Sequence, residues 1–196
     1  MQATHPGRVI TSVLLPRSLT VSIALVFGFA FFTALMAQIS IPLGFTPVPI
    51  TGQTFAVLLS GAALGSRLGP TSQALYWGMG AAGLPFYAEG NGGWDVATGA
   101  TAGYLVGFVV AAWVVGKLAE HQQDRDLWTA IPAFLFGSVI IHLFGVPWLA
   151  NVLDVSWSRA AELGSYPFIA GDLIKVGLAG VVLPASWRLV SNLRDV

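Results

Sequence analysis

Long apolar runs, separated by short breaks rich in proline, glycine or charge, organise this chain. Six runs stand out, over residues 19–41, 53–66, 70–88, 99–118, 128–150 and 167–190. Crossing a bilayer as a helix takes about 20 apolar residues, so these lengths predict membrane helices rather than core strands. The second run is short, and Pro85 interrupts the third. Turn chemistry marks the breaks: Pro42, Pro47 and Pro49 after the first run, Gly69 and Pro70 after the second, Gly90 to Gly93 after the third, and the polar stretch 120–126 after the fourth. The pattern predicts an all-α integral membrane protein, a single membrane domain over residues 1–196 with six transmembrane helices. The first run is about twice the length of a signal peptide's apolar core and lacks an A-x-A site, so it is expected to stay in the chain.

Composition agrees with the pattern. Of 196 residues, 55% are hydrophobic and 9% charged, against roughly 25% charged in soluble domains, so a water-facing shell cannot be built. A net charge of zero with no basic stripe argues against a nucleic-acid partner, and the absence of cysteine removes disulfides and thiolate chemistry. With both termini cytoplasmic, Arg8, Arg17, Arg67, Lys117, Arg125, Arg188 and Arg194 fall inside and Arg159 alone falls outside, as the positive-inside rule requires. The expected location is a prokaryotic plasma membrane, crossed several times.

The remaining base, Lys175, lies inside the sixth run together with Asp172. An ionised side chain at membrane depth costs about 3 kcal/mol on insertion scales, so such residues pair or line a polar cavity. Three apart, the two share a helix face, with Phe168 one turn earlier. Counted from Pro167 at about 1.5 Å per residue, Asp172 lies roughly 8 Å and Lys175 roughly 12 Å below the outer start of the helix. They are expected to floor a cavity open to the outside, beneath the uncharged segment 42–52 and the glycine-rich segment 89–98; the competing reading is a self-neutralised structural ion pair.

Small residues four apart form ridges at Gly99, Gly103 and Gly107, at Gly61 and Gly65, and at Ala30 and Ala34. In lipid such ridges let helices approach closely. The first two read as internal packing. The third, surrounded by Phe27, Phe29, Phe31 and Phe32, reads as a docking surface for another membrane protein. Ser138 and His142 share a face of the fifth helix, but without an apparent acidic partner they read as ordinary packing whose replacement leaves ligand binding intact. No G-x-x-x-x-G-K-[ST] loop exists, so the chain is not expected to hydrolyse ATP. No catalytic group, metal site or cofactor is expected.

Four stretches carry a family resemblance: Thr46-Pro47-Val48-Pro49-Ile50-Thr51-Gly52-Gln53-Thr54, Gly83-Leu84-Pro85-Phe86-Tyr87-Ala88, Gly103-Tyr104-Leu105-Val106-Gly107-Phe108, and Pro167-Phe168-Ile169-Ala170-Gly171-Asp172 with Lys175. In this order they resemble BioY, the biotin-specific substrate-binding component of energy-coupling factor transporters. The resemblance implies a six-helix protein that takes up biotin from the outer side. It also implies that an asparagine and the pair of a G-D-x-x-K motif hold the ureido ring; these map onto Asn91, Asp172 and Lys175. At the head of the fourth helix the family pattern G-P-T-G-G-Y-L is replaced by Gly99-Ala100-Thr101-Ala102-Gly103-Tyr104-Leu105.

Ligand chemistry is consistent with that implication. A cyclic urea has two N–H donors and one carbonyl, complemented by an Asp and an Asn oxygen that accept and a Lys ammonium that donates. Phe45, Phe86, Tyr87 and Phe168 are candidate walls, and Gln53, Tyr104 or backbone N–H groups of Gly90 to Gly93 are candidate donors to the biotin carboxylate. By the same resemblance the expected partners are a transmembrane coupling subunit, docking at Ala30 and Ala34, and two ATPase subunits; a homo-oligomer is also compatible. The competing readings are the same architecture serving another small vitamin, and a small intramembrane enzyme using Asp172, Lys175 or His142.

Overall fold

A computed structural model of the chain describes residues 9–16 and 18–194, with side chains through Ser191. Arg8, Arg17 and the side chain of Arg194, all used in the orientation reading, lie outside the described residues. The helices are α1 (Ile10–Leu14), α2 (Leu19–Gln38), α3 (Gln53–Ala81), α4 (Trp94–Ala97), α5 (Ala102–Glu120), α6 (Leu127–Leu153), α7 (Trp157–Gly164) and α8 (Ile169–Arg194), with short 3-10 turns at Ala88–Gly90 and Tyr166–Phe168. A two-residue antiparallel ladder joins β1 (Ser40–Ile41) to β2 (Ile50–Thr51), pairing Ser40 with Thr51. Among the described residues, four helical stretches are long and apolar enough to cross a membrane: Leu19–Gln38, Ala102–Glu120, Leu127–Leu153 and Trp157–Ser191.

The two runs predicted at 53–66 and 70–88 merge into α3, but α3 is not straight. Gly65 sits at φ 81 and ψ −178, a conformation essentially reserved for glycine, and the chain reverses there. The reversal is visible in what touches what. Gln53 donates to Tyr76 at 2.6 Å, Gln73 donates to Ser60 at 2.9 Å, and a Cβ on Gly69 would sit 3.0 Å from the Cα of Gly61. Two antiparallel arms, 53–64 and 66–81, therefore pack along each other. Pro70, the fifth residue of the second arm, removes one N–H that would otherwise reach the Ser66 carbonyl close to the corner. The arm ends at Ala81 rather than Ala88, leaving Gly83 to Tyr87 in a loop.

Glu120 staples the corner, its Oε1 accepting from the backbone N–H of Ser66 at 2.9 Å and the Ser66 hydroxyl at 2.7 Å. The same end of the bundle holds Asp124, which accepts from the Trp187 indole at 2.7 Å while the Arg125 guanidinium lies 3.8 Å from the Trp187 ring centre. Midway along, Gln73 links Thr33 of α2 and Ser60 of the first arm in a fully buried amide and hydroxyl network. In an apolar surround such a network is retained because its members satisfy one another.

Of the predicted glycine ridges, Gly61, Gly103 and Gly107 act as helix contacts, whereas Gly65 is the corner itself and Gly99 lies before α5, where a Cβ would sit 2.9 Å from the Asp95 carbonyl oxygen. A Cβ on Gly107 would lie 2.9 Å from the Ile141 Cα, one on Gly61 2.7 Å from the Ala112 carbonyl, and one on Gly103 would overlap Trp148. Gly116, which no spacing singled out, meets the Gly65 corner in the same way. The alanine ridge of α2 turns out differently from its expected role. Ala30 and Ala34 are 0% and 6% exposed, packed inside the bundle, so they cannot meet a partner directly. The opposite face of α2 is the exposed one, presenting Ile23, Ala24, Phe27, Gly28, Phe31 and Leu35.

Candidate functional site

At the end of the bundle opposite the Gly65 corner, α3, α5, α6 and α8 surround a cavity of about 250 Å³. Pro47, Val48 and Pro49 cover one side, and Tyr87, Glu89 and Asn91 another. Both covering segments are held by local bonds. Gly52 donates to the carbonyls of Met36 at 3.1 Å and Ile39 at 3.0 Å, and a Cβ there would lie 2.8 Å from the Met36 oxygen, so only glycine lets the motif seat on α2. Thr51 Oγ1 donates to Gln53 Oε1 at 2.7 Å at the start of the first arm. The second segment is clamped by Gln38, which donates to the Tyr87 carbonyl at 3.2 Å and accepts from the Gly90 N–H at 3.0 Å. The glycines here serve the chain itself: Gly83, Gly90 and Gly93 have positive φ, and a Cβ on Gly92 would overlap the Leu84 carbonyl.

Asp172, 7% exposed, is the hub of the cavity. Its Oδ1 accepts from Lys175 Nζ at 3.1 Å and from Thr54 Oγ1 at 3.4 Å; its Oδ2 faces His142 Nε2 at 2.7 Å and accepts from Ser138 Oγ at 3.1 Å. His142 Nδ1 lies 3.1 Å from the carbonyl oxygen of Gly164. The Asp172–Lys175 face was legible in the sequence. The acid that Ser138 and His142 lacked is Asp172 itself, on a helix 30 residues further on, so both side chains contact the group at the centre of the cavity rather than serving only as packing. Thr54 was likewise missed as a contact of Asp172; nothing in spacing alone connects it to a residue more than a hundred positions away.

Asn91 lines the cavity with its amide Nδ2 donating to the Ala88 carbonyl at 2.9 Å, which turns Oδ1 into the atom available as an acceptor. Tyr87 and Phe168 line it as walls. The Tyr87 hydroxyl donates to the Trp77 carbonyl at 2.7 Å, and burial pushes this phenol up to about 12, so it stays a donor across the physiological range. Gln53, Thr101 and Tyr104 also reach the cavity. The donors first considered for a carboxylate are largely engaged: Gln53 with Tyr76, Tyr104 Oη with the Gly164 carbonyl at 2.6 Å, Gly90 with Gln38 and Gly93 with the Gly80 carbonyl at 2.7 Å. Two expected walls are elsewhere. Phe45 is 62% exposed on the covering loop and does not line the cavity, and Phe86 packs against Phe31 and Tyr76 with ring centres 5.2 and 6.5 Å away.

Residues 8–192 match the BioY family. The chain is 37% identical over 149 residues to the biotin transporter BioY of Rhizobium etli, covering 72% of this chain and 79% of that one. It is 41% identical over 154 residues to the biotin transporter BioY of Thermotoga maritima, covering 77% and 88%. A crystal structure of the S-component for biotin from an ECF-type ABC transporter superposes with a TM-score of 0.77 at 24% identity, covering 93% of this chain and 95% of that one, and so shares the fold. With the family match running almost end to end and two such relatives alongside it, this chain belongs to the BioY family.

Proposed function

We propose that this protein is a biotin-capturing membrane component, which binds the vitamin on the outer side and mediates its uptake. The observation that carries the reading is the juxtaposition in one cavity of a carboxylate oxygen, Asp172 Oδ1, an ammonium 3.1 Å from it, and the Asn91 amide oxygen. A cyclic urea needs two acceptors for its N–H groups and one donor for its carbonyl, and this trio is that complement. Tyr87, Phe108 and Phe168 supply apolar surface for the thioether ring and tail. The relatives named as biotin transporters support the same ligand.

In this reading the chain crosses a prokaryotic plasma membrane six times with both termini cytoplasmic, the two arms of α3 counting as separate crossings. Supporting that orientation, Arg67, Lys117 and Arg125 cluster near the Gly65 corner, away from the cavity. Equilibrium titration of the purified protein in detergent is expected to show biotin binding at least about 100-fold tighter than thiamin or riboflavin, the margin that unpaired polar groups in a urea-shaped site impose on the wrong ligand. Comparable affinity for all three would assign the site to another ligand class.

In the same reading uptake is coupled, and the exposed face of α2 is where a transmembrane coupling subunit would engage this chain, with two cytosolic ATPases bound to that subunit. Ala24 and Gly28 lie four apart on that face, and a Cβ added to Gly28 meets nothing within 4 Å of its own fold. Gly28→Leu is expected to leave biotin binding within about twofold while cutting uptake about tenfold or more, since a branched side chain there blocks close helix approach. Unchanged uptake by the variant would place the coupling contact on another face.

A further inference from the structure

His142 is bracketed by two acceptors. Its Nδ1 lies 3.1 Å from the Gly164 carbonyl and its Nε2 2.7 Å from Asp172 Oδ2, and a carbonyl cannot donate. Nδ1 must therefore carry a hydrogen, and a second proton must lie between Nε2 and the carboxylate. The bracket is rigid. The Gly164 oxygen also accepts from Tyr104 Oη at 2.6 Å, a Cβ at position 164 would overlap that hydroxyl, and the Tyr104 ring stands perpendicular to the imidazole with centres 6.0 Å apart. With both protons counted, the Asp172–His142 pair is neutral, and Lys175 gives the cluster a net charge of +1.

We infer that His142 is a proton-bearing positioning residue of the site, whose doubly protonated ring pins Asp172 Oδ2 so that Oδ1 is the oxygen presented to the ligand. This rests on the biotin reading above. A carboxylate has about four acceptor positions, and here all four are occupied. A urea N–H can enter only where a donor can leave. Lys175, on its flexible stem, can turn from Oδ1 to the ligand's carbonyl and stay close to Asp172; Thr54, at 3.4 Å, is the longest of the four contacts. On the Oδ2 side, moving His142 also breaks its bond to Gly164, and the other donor, Ser138, is buried and does not line the cavity, so a ligand cannot take its place there.

The proton count then becomes a control on affinity. When His142 loses one proton, a lone pair must face either the Gly164 carbonyl or the Asp172 carboxylate, and one of the two bonds is lost. The groups facing the ring are Asp172 and, through it, Lys175 from α8, and Tyr104 from α5. From α7 comes the Gly164 carbonyl, while Arg159 and Glu162 pair with each other at 2.7 Å on the exposed side. The first arm of α3 offers Thr54, which does not titrate. Loss of either bond is therefore expected to weaken biotin binding.

The sequence contains three histidines, His5, His121 and His142. In the full-length H5Q/H121Q variant, with nitrogen-15 in the remaining imidazole, magnetic resonance of the ligand-free protein in detergent at about pH 7 should show both ring nitrogens protonated. In biotin titrations at the same pH, a further His142→Gln change is expected to bind at least about tenfold more weakly than this variant. A neutral ring at about pH 7, or undiminished biotin affinity after His142→Gln, would overturn the inference. Because the ring is read without ligand, an imidazolium in a chain that binds no biotin supports the proton assignment and overturns the biotin reading alone.

Discussion

Asp172→Asn is expected to weaken biotin binding by at least about 100-fold, the largest effect of any conservative replacement in the site. The change keeps the shape and removes one charge. It also turns an acceptor into an amide N–H₂, which must face either the Lys175 and Thr54 donors or those of His142 and Ser138. Lys175 and His142, with side chains 14% and 18% exposed, then lose the anion that compensates them. Removing one partner of a buried pair costs about 3 to 5 kcal/mol because the other is left uncompensated. Isothermal titration of the purified variant measures this, with circular dichroism confirming that the helices are intact. Wild-type affinity in a folded Asp172→Asn protein would move the ligand site away from the cavity.

Gly107→Leu is expected to be strongly damaging although it lies outside the site, destabilising the fold by about 3 kcal/mol and abolishing binding with it. The added Cβ would lie 2.9 Å from both the Cα and the carbonyl oxygen of Ile141, so backbone meets backbone and no rotamer relieves the contact. Separating α5 from α6 there also separates Tyr104, one turn before Gly107, from His142, the residue after Ile141. Glycine content alone does not predict the damage. Gly78→Ala and Gly177→Ala face nothing within 4 Å, lie within helices, and should be neutral or stabilising by about 0.5 kcal/mol. Thermal unfolding in detergent compares the three, and equal midpoints for all of them would remove the glycine contact from the account of the fold.

These two sites differ in how far the sequence announced them. The Gly103 and Gly107 ridge, the Asp172 and Lys175 face and the covering motif around Pro47 and Pro49 are local patterns, readable from spacing because periodicity fixes which residues share a face. The reach of Asp172 to Ser138, His142 and Thr54 depends on how α3, α6 and α8 meet, and no local period encodes that. Ala30 and Ala34 show the converse failure: the spacing identified a close helix contact correctly in kind but not its partner, since a small-residue ridge looks the same whether it meets the chain's own second arm or another protein. Phe45 was misplaced for a similar reason, as an aromatic ring in a covering loop can point either way. The reversal at Gly65 was hidden inside an apolar stretch with only Gly69 and Pro70 to suggest it, four residues late.

That reversal also sets a distance. The first arm, 53–64, contains twelve residues and is roughly 18 Å long, whereas the hydrocarbon core of a bilayer is about 30 Å thick. It carries Gln53 and Thr54 at the cavity end and Gly65 at the other. In the proposed reading, a ligand beside Thr54 lies roughly 18 Å from the corner, so the first arm alone accounts for little more than half of the hydrocarbon core and needs the residues that flank it to complete a crossing.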